Sequence, residues 1–174
     1  MVERCIMIFP EFNNMRIIDE MRDKYDPLVS HVSPHITLVF PFCSDISSER
    51  LKEHIEYVLS DISSFKVMLK DITPVQSFGN YLFLNIQVGK EEIYIIHKKL
   101  YTGILEPYLP KWLRSREYHP HMTVGKIESG EDYEAAILKV KDINDIFETI
   151  VDKVSVEIID ENEDSIIEME IELK

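Results

Sequence analysis

Glycine is scarce in this chain of 174 residues, with five in all. That excludes a collagen-like repeat, a glycine-rich linker and a Walker-type phosphate loop. Cysteine is scarcer still: Cys5 and Cys43 stand alone, each in an apolar run. Two cysteines make neither a disulfide framework nor a zinc site, so both are expected to be reduced core residues. There is no long apolar run either. The N-terminal stretch from Ile6 to Pro10 is far too short for a signal-peptide core or a membrane span, so the cytoplasm is the expected location and no membrane partner is expected. No proline, glycine or serine tract divides the chain, so residues 1–174 are expected to form one domain.

Positive charge is also short. Against 32 Asp and Glu there are 19 Lys and Arg, a net charge of −13. Residues 128–174 alone carry −12 of it, residues 1–127 carry −1, and residues 90–127 within them carry +3. Such a balance argues against coating a long nucleic-acid duplex, but it leaves room for a small phosphorylated ligand in a locally basic cleft. The acidic stretch 157–172 reads as the solvated face of a terminal hairpin.

Apolar periodicity gives a mixed pattern. Residues 3–9 read as a buried strand. In residues 11–25, Phe12, Met15, Ile18, Met21 and Tyr25 recur at helical spacing, and Pro27 follows as a stop. Residues 34–42 (PHITLVFPF) read as a strand, and Ser47 or Ser48 caps a helix to about residue 59 or 62. Strands follow at 65–73 and 81–88, joined by the turn residues of PVQSFGN. A helix over 91–105, a proline-punctuated stretch over 107–120 and a strand over 121–127 come next. A helix over 131–148 and strands over 151–160 and 165–173 complete the chain.

The order helix, strand, helix, strand, strand thus occurs twice. His35 and His121 are 86 residues apart, as are Phe65 and Val151, while Tyr81 and Ser165 are 84 apart. A fixed offset is the mark of internal duplication. The expected fold is α+β: two pseudo-symmetric α/β lobes, about residues 1–89 and 90–174, each with a mostly antiparallel sheet and helices. The active site would lie in the cleft between them.

What the copies share is chemical. Pro34-His35-Ile36-Thr37-Leu38 returns as Pro120-His121-Met122-Thr123-Val124. On a strand, alternate residues face the same way. His35 and Thr37 therefore share a face while Ile36 and Leu38 bury the other, and the second copy repeats the arrangement. Two imidazoles and two hydroxyls would line the cleft. Breaking a phosphodiester, or opening a cyclic phosphate, needs a base for the attacking oxygen and an acid for the leaving one. Imidazoles titrate where both can be supplied. The hydroxyls can donate to the non-bridging oxygens as charge builds.

These motifs, with the flanking strings PHITLVFPF and YHPHMTVGKI, resemble those of the 2H phosphoesterase superfamily, which includes the 2′-5′ RNA ligase-like proteins. The resemblance spans nearly the whole chain. It implies His35 and His121 as the catalytic pair, Thr37 and Thr123 on the phosphate, no metal and no cofactor. The substrate it implies is a cyclic phosphate or a 2′-5′ linkage in a nucleotide or RNA end.

Other residues around the motifs are candidates of a second kind. Tyr118, Phe42, Phe40 and Tyr81 could stack a base, and Arg116, Lys111, Arg114 and Lys126 could form an electropositive rim; Tyr118, Phe42 and Arg116 are the ones taken as substrate-binding. His119 could tempt a metal reading, but Ser33 holds the equivalent place in the first copy and no carboxylate or cysteine cluster accompanies it. His31, His54 and His97 are expected to be surface or partner-satisfied residues. The chain is expected to act as a monomer on a nucleotide or RNA-end phosphate. The rival reading is a module that binds such a ligand in the same cleft without turning it over.

Overall fold

The computed structural model describes all 174 residues. The chain runs β1 (Val2–Ile8), α1 (Met15–Tyr25), β2 (Ile36–Ser44), α2 (Ser48–Val58), β3 (Phe65–Val75), β4 (Tyr81–Val88) and α3 (Lys90–Leu100). Two 3-10 turns, Gly103–Tyr108 and Lys111–Arg114, lead into β5 (His121–Lys126), α4 (Gly130–Val140), β6 (Phe147–Val151), β7 (Lys153–Ile159) and β8 (Ser165–Glu172). The strands form two four-stranded antiparallel sheets, ordered β2-β1-β7-β8 and β5-β4-β3-β6. The α+β class and the two-sheet architecture are those expected. No helix is long and apolar enough to cross a membrane.

The division between the lobes differs from a cut near residue 89. Each repeat gives its motif strand to one sheet and its closing hairpin to the other. β2 pairs with β1, while β3 and β4 join β5 and β6; in return β7 and β8 complete the sheet of β2. The helices cross over as well, with α1 packing on β5 and α3 on β2. The physical reason is that β1 needs a neighbour on each side. β7 supplies one of them, pairing Arg4 with Ile158 and Met7 with Ser155. One continuous hydrophobic cluster fills the molecule, from Ile6 and Ile8 through Leu82 and Leu84 to Val154 and Val156.

The helix expected over 131–148 stops at Val140. Asp142, Asn144 and Asp145 follow it, and the Asn144 side chain donates to the Asp142 carbonyl at 3.1 Å. These side chains compete with helical backbone bonds. The chain then turns extended as β6, which pairs along β3 from Phe65–Val151 to Leu69–Phe147. Phe147 and Val151 point inward. Likewise the helix at 91–105 ends at Leu100, ahead of Gly103 (φ +53°), and becomes a 3-10 turn. Of the two cysteines only Cys5 is buried; Cys43 is exposed. The acidic hairpin is not wholly solvated, since Glu157 is buried and accepts from Ser165, and Glu168 receives two hydrogen bonds from buried Arg4.

Gly89 links β4 to α3 with φ +85°, and a β-carbon there would lie 2.6 Å from the Lys66 carbonyl oxygen. Gly89→Ala is expected to lower stability by about 1–3 kcal/mol in urea denaturation, through backbone strain and a clash with main chain. A change within error would show that the turn relaxes freely.

Candidate active site

β2 and β5 are edge strands of different sheets, and the fold sets them beside each other. Each presents its motif in the same way. Ile36, Leu38, Met122 and Val124 are fully buried, whereas His35, Thr37, His121 and Thr123 are half-buried on the opposite face. The apolar residues anchor each strand and leave the polar pair on its partly exposed face.

The two imidazoles are held alike. His35 Nδ1 donates to the Ser33 carbonyl at 2.8 Å, and His121 Nδ1 donates to the His119 carbonyl at 2.7 Å. A carbonyl can only accept, so in the neutral ring Nδ1 carries the proton and Nε2 is left as the acceptor. An aromatic ring supports each one. Phe83 of β4 stacks on His121 with centroids 3.6 Å apart, and Phe9 meets His35 edge-on at 6.1 Å.

Both rings are held below the ordinary histidine pKa of 6.5. For His35 the chief cause is burial, opposed by the hydrogen bond to Ser33; Arg22 and His121 push it further down and Asp26 pushes it up. For His121 it is again burial, opposed by the bond to the His119 carbonyl, with the charge of His119 lowering it further.

Two devices fix β2 and the loop before it. Arg22, 2% exposed, bonds through Nε to Asp26 at 2.8 Å and through Nη2 to the carbonyls of Val32, at 2.8 Å, and Leu28, at 3.3 Å. Asp26 also accepts from the Leu28 amide at 3.0 Å. This clamp holds the loop that ends in Ser33. On the far side, the His31 carbonyl accepts from the Ser165 amide and its ring bonds to Asp164 at 2.8 Å. The backbone of β2 itself is gripped by three side chains. Tyr118 donates to the Thr37 carbonyl at 2.6 Å, His97 Nδ1 to the Leu38 carbonyl at 2.7 Å, and the Phe40 amide donates to the Tyr101 hydroxyl at 2.9 Å.

A model of the 2′-5′ RNA ligase superfamily matches residues 9–163. The chain belongs to that superfamily. A protein of Bacillus licheniformis, named provisionally as a phosphoesterase, is 26% identical over 153 residues, covering 85% of each chain. LigT of Escherichia coli, solved with 3′-AMP, superposes with a TM-score of 0.65 at 13% identity over 99% of this chain and 98% of its own. The protein TT0787 of Thermus thermophilus gives 0.62 at 13% identity over 98% and 97%. At that identity the likeness is one of fold.

In this member of the superfamily Phe42, Tyr118 and Arg116 make no hydrogen bond or ring contact with the four motif side chains. Phe42 sits on the other face of β2 from His35 and Thr37. It is buried against Tyr108 with centroids 5.0 Å apart, so it is a core residue rather than a base-stacking one. Tyr118 is buried too, stacked on His97 at 3.7 Å and committed to the Thr37 carbonyl. Arg116 is exposed and lines a separate hollow between α3 and the 3-10 turns. Lys111, Arg114, Lys126 and His119 are exposed. No three His, Cys, Asp or Glu side chains converge as metal ligands. Beside His35 opens a hollow of about 540 Å³, with Phe9, Ser33 and Pro34 in its lining together with Glu11, Asp19 and Glu170.

Three supporting residues escaped the sequence reading: Phe83, Phe9 and Arg22. Phe83 alternates with Tyr81 and Asn85 on β4, so period two alone puts it on one face, but only the register Phe83–Thr123 sets it beside the second motif. Arg22 adjoins Met21 on the apolar side of α1, and a charge there signals a buried partner.

Arg22→Met leaves Asp26 charged and unpaired in the interior and is expected to cost about 3–5 kcal/mol, read by denaturant melts. An effect under about 1 kcal/mol, the scale of exposed pairs, would contradict the clamp. His35, His121 and His97 all have folded pKa values below the unfolded 6.5. The unfolded chain therefore takes up protons first as pH falls. Their stability contribution is complete above 6.5 and is lost as pH drops through the folded values. The melting temperature is expected to fall on acidification in that window, less so in a variant lacking these imidazoles.

Proposed function

We propose that the protein is a metal-independent phosphoesterase. It acts on a 2′,3′-cyclic phosphate or a 2′-5′ phosphodiester of a nucleotide or RNA end, using His35 and His121 as a general acid–base pair. The observation that carries this reading is the matched setting of the two imidazoles. Each is fixed through Nδ1 to the carbonyl two residues upstream, each has Nε2 free of protein partners, and the strands that carry them, β2 and β5, pack beside each other. LigT, of the same fold, has been solved with 3′-AMP, ATP and NADP+, which supports a nucleotide ligand.

In the cyclic-phosphate reaction one neutral Nε2 takes a proton from the attacking water as the new P–O bond forms. The other imidazole, protonated, delivers its proton to the ribose oxygen as the old P–O bond breaks. The ring opens to a monophosphate and a hydroxyl, and the two histidines have exchanged protonation states. Thr37 and Thr123 donate to the non-bridging oxygens, where negative charge accumulates. For synthesis of a linkage the steps run backwards and the roles reverse.

The test is turnover of a panel of 2′,3′-cyclic nucleotides and 2′-5′ dinucleotides with EDTA present. Activity is expected to survive chelation. His35→Ala or His121→Ala is expected to reduce kcat by ~10²–10⁴, and the double variant to be inactive. Turnover lost to EDTA, or retained by the double variant, would refute the mechanism. Tight nucleotide binding with no product after long incubation would leave a binding module in its place. Because burial lowers both free-enzyme pKa values, the kcat/KM profile is expected to be a bell centred on the acidic side of neutrality. A maximum on the alkaline side would contradict the assignment.

A further inference from the structure

The hollow that holds Arg116 has features the phosphoester cleft does not use. It measures about 200 Å³, and Tyr94, His97, Lys98, Tyr101, Arg116 and Tyr118 are in its wall. His97 is only 4% exposed. Its ring face is covered by Tyr118, its Nδ1 is spent on the Leu38 carbonyl, and Tyr101 meets it edge-on at 5.1 Å. Its Nε2 is an acceptor that no protein group occupies, on a ring that lines the hollow. Burial lowers its pKa, so the ring stays neutral and the lone pair stays available. Beside it the Tyr101 hydroxyl accepts from the Phe40 amide, and its own proton is still free to be donated. The lining thus carries one uncommitted acceptor and one uncommitted donor, on rings whose centroids are 5.1 Å apart.

The rim is cationic. Lys98 lies over the Tyr94 ring at 5.9 Å, and neither Lys98 nor Arg116 takes part in any of the ion pairs of the molecule. Glu117 is the one carboxylate in the lining. At about 200 Å³ the hollow is below the ~300–1,000 Å³ of drug-sized sites, so it takes one flat ring system and leaves the rest of a ligand at the mouth. A ring edge with one N–H and one neighbouring acceptor is what a nucleobase presents, and a phosphate suits an unpaired Lys and Arg.

We propose that this hollow is a second ligand site, which takes the base of a nucleoside monophosphate against His97 and Tyr101 and its phosphate on Lys98 and Arg116. The site needs no chemistry in the cleft. It shares with the cleft the backbone of β2, because His97 and Tyr118 bond the carbonyls of Leu38 and Thr37. An occupant would therefore press on the strand that carries the first motif.

Calorimetry with AMP and CMP, and inorganic phosphate as a control, tests this on the full chain. Two sites per chain are expected for at least one nucleotide. Lys98→Ala with Arg116→Ala, both exposed, is expected to weaken one site tenfold or more. Thr37→Ala with Thr123→Ala is expected to weaken the other, leaving the first intact. In that threonine variant, added nucleotide is expected to shift the His97 Nε2 resonance in ¹⁵N NMR, a change that surface charge alone would not cause. A single site untouched by the Lys98 and Arg116 changes would overturn the proposal. So would a His97 resonance that does not move, or phosphate binding as tightly as the nucleotides. Failure here with turnover intact bears on the hollow alone. Loss of turnover with two sites present bears on the cleft alone.

Discussion

The arrangement rests on how an open strand edge is satisfied. β2 is the outermost strand of its sheet, and a bare edge must find partners for its amides and carbonyls. Here the partners are side chains from the second repeat. Tyr118, His97 and Tyr101 bond Thr37, Leu38 and Phe40 in turn. Each is buried, so each bond is sheltered from water and costly to leave unmade. The same contact that closes the edge sets β2 beside β5. The meeting of the two motifs follows from satisfying backbone polarity rather than from attraction between the motifs themselves.

Around this seam the supporting groups differ on the two sides. The His121 ring lies flat on Phe83, whereas the His35 ring is met edge-on by Phe9 and has the buried Arg22–Asp26 pair within electrostatic reach. The two motifs thus present the same imidazole in different surroundings.

Much of this could be read in the residues. The spacing of His35, Thr37, His121 and Thr123, and their alternation with Ile36, Leu38, Met122 and Val124, were enough for the motif faces, because period two on a strand is a local property. The α+β class followed from the repeated element order in the same way. Partnership between distant segments was not legible. Nothing in the strings of β3 and β4 says which motif strand they will join, so the halves were drawn at residue 89 although the sheets mix them. Phe42, an aromatic beside the first motif and so a candidate to stack a base, alternates with Ile36 and Leu38 and falls on the core face. The helix assigned to 131–148 ran past its true end because Ile143 and Ile146 keep an apolar rhythm where Asp142, Asn144 and Asp145 turn the chain.

The exchange of hairpins between the sheets also bears on how the chain acquires its shape. β1 lies between β2 and β7, and β7 follows it in the chain after every other strand but β8. Until β7 pairs, one flank of β1 stays unfilled, with Cys5, Ile6 and Met7 uncovered. Neither half can complete a sheet by itself, so the native state requires both repeats to be present together. The pairing of β1 with β7 is a long-range contact, of the kind that slows folding and keeps apolar surface open until it forms.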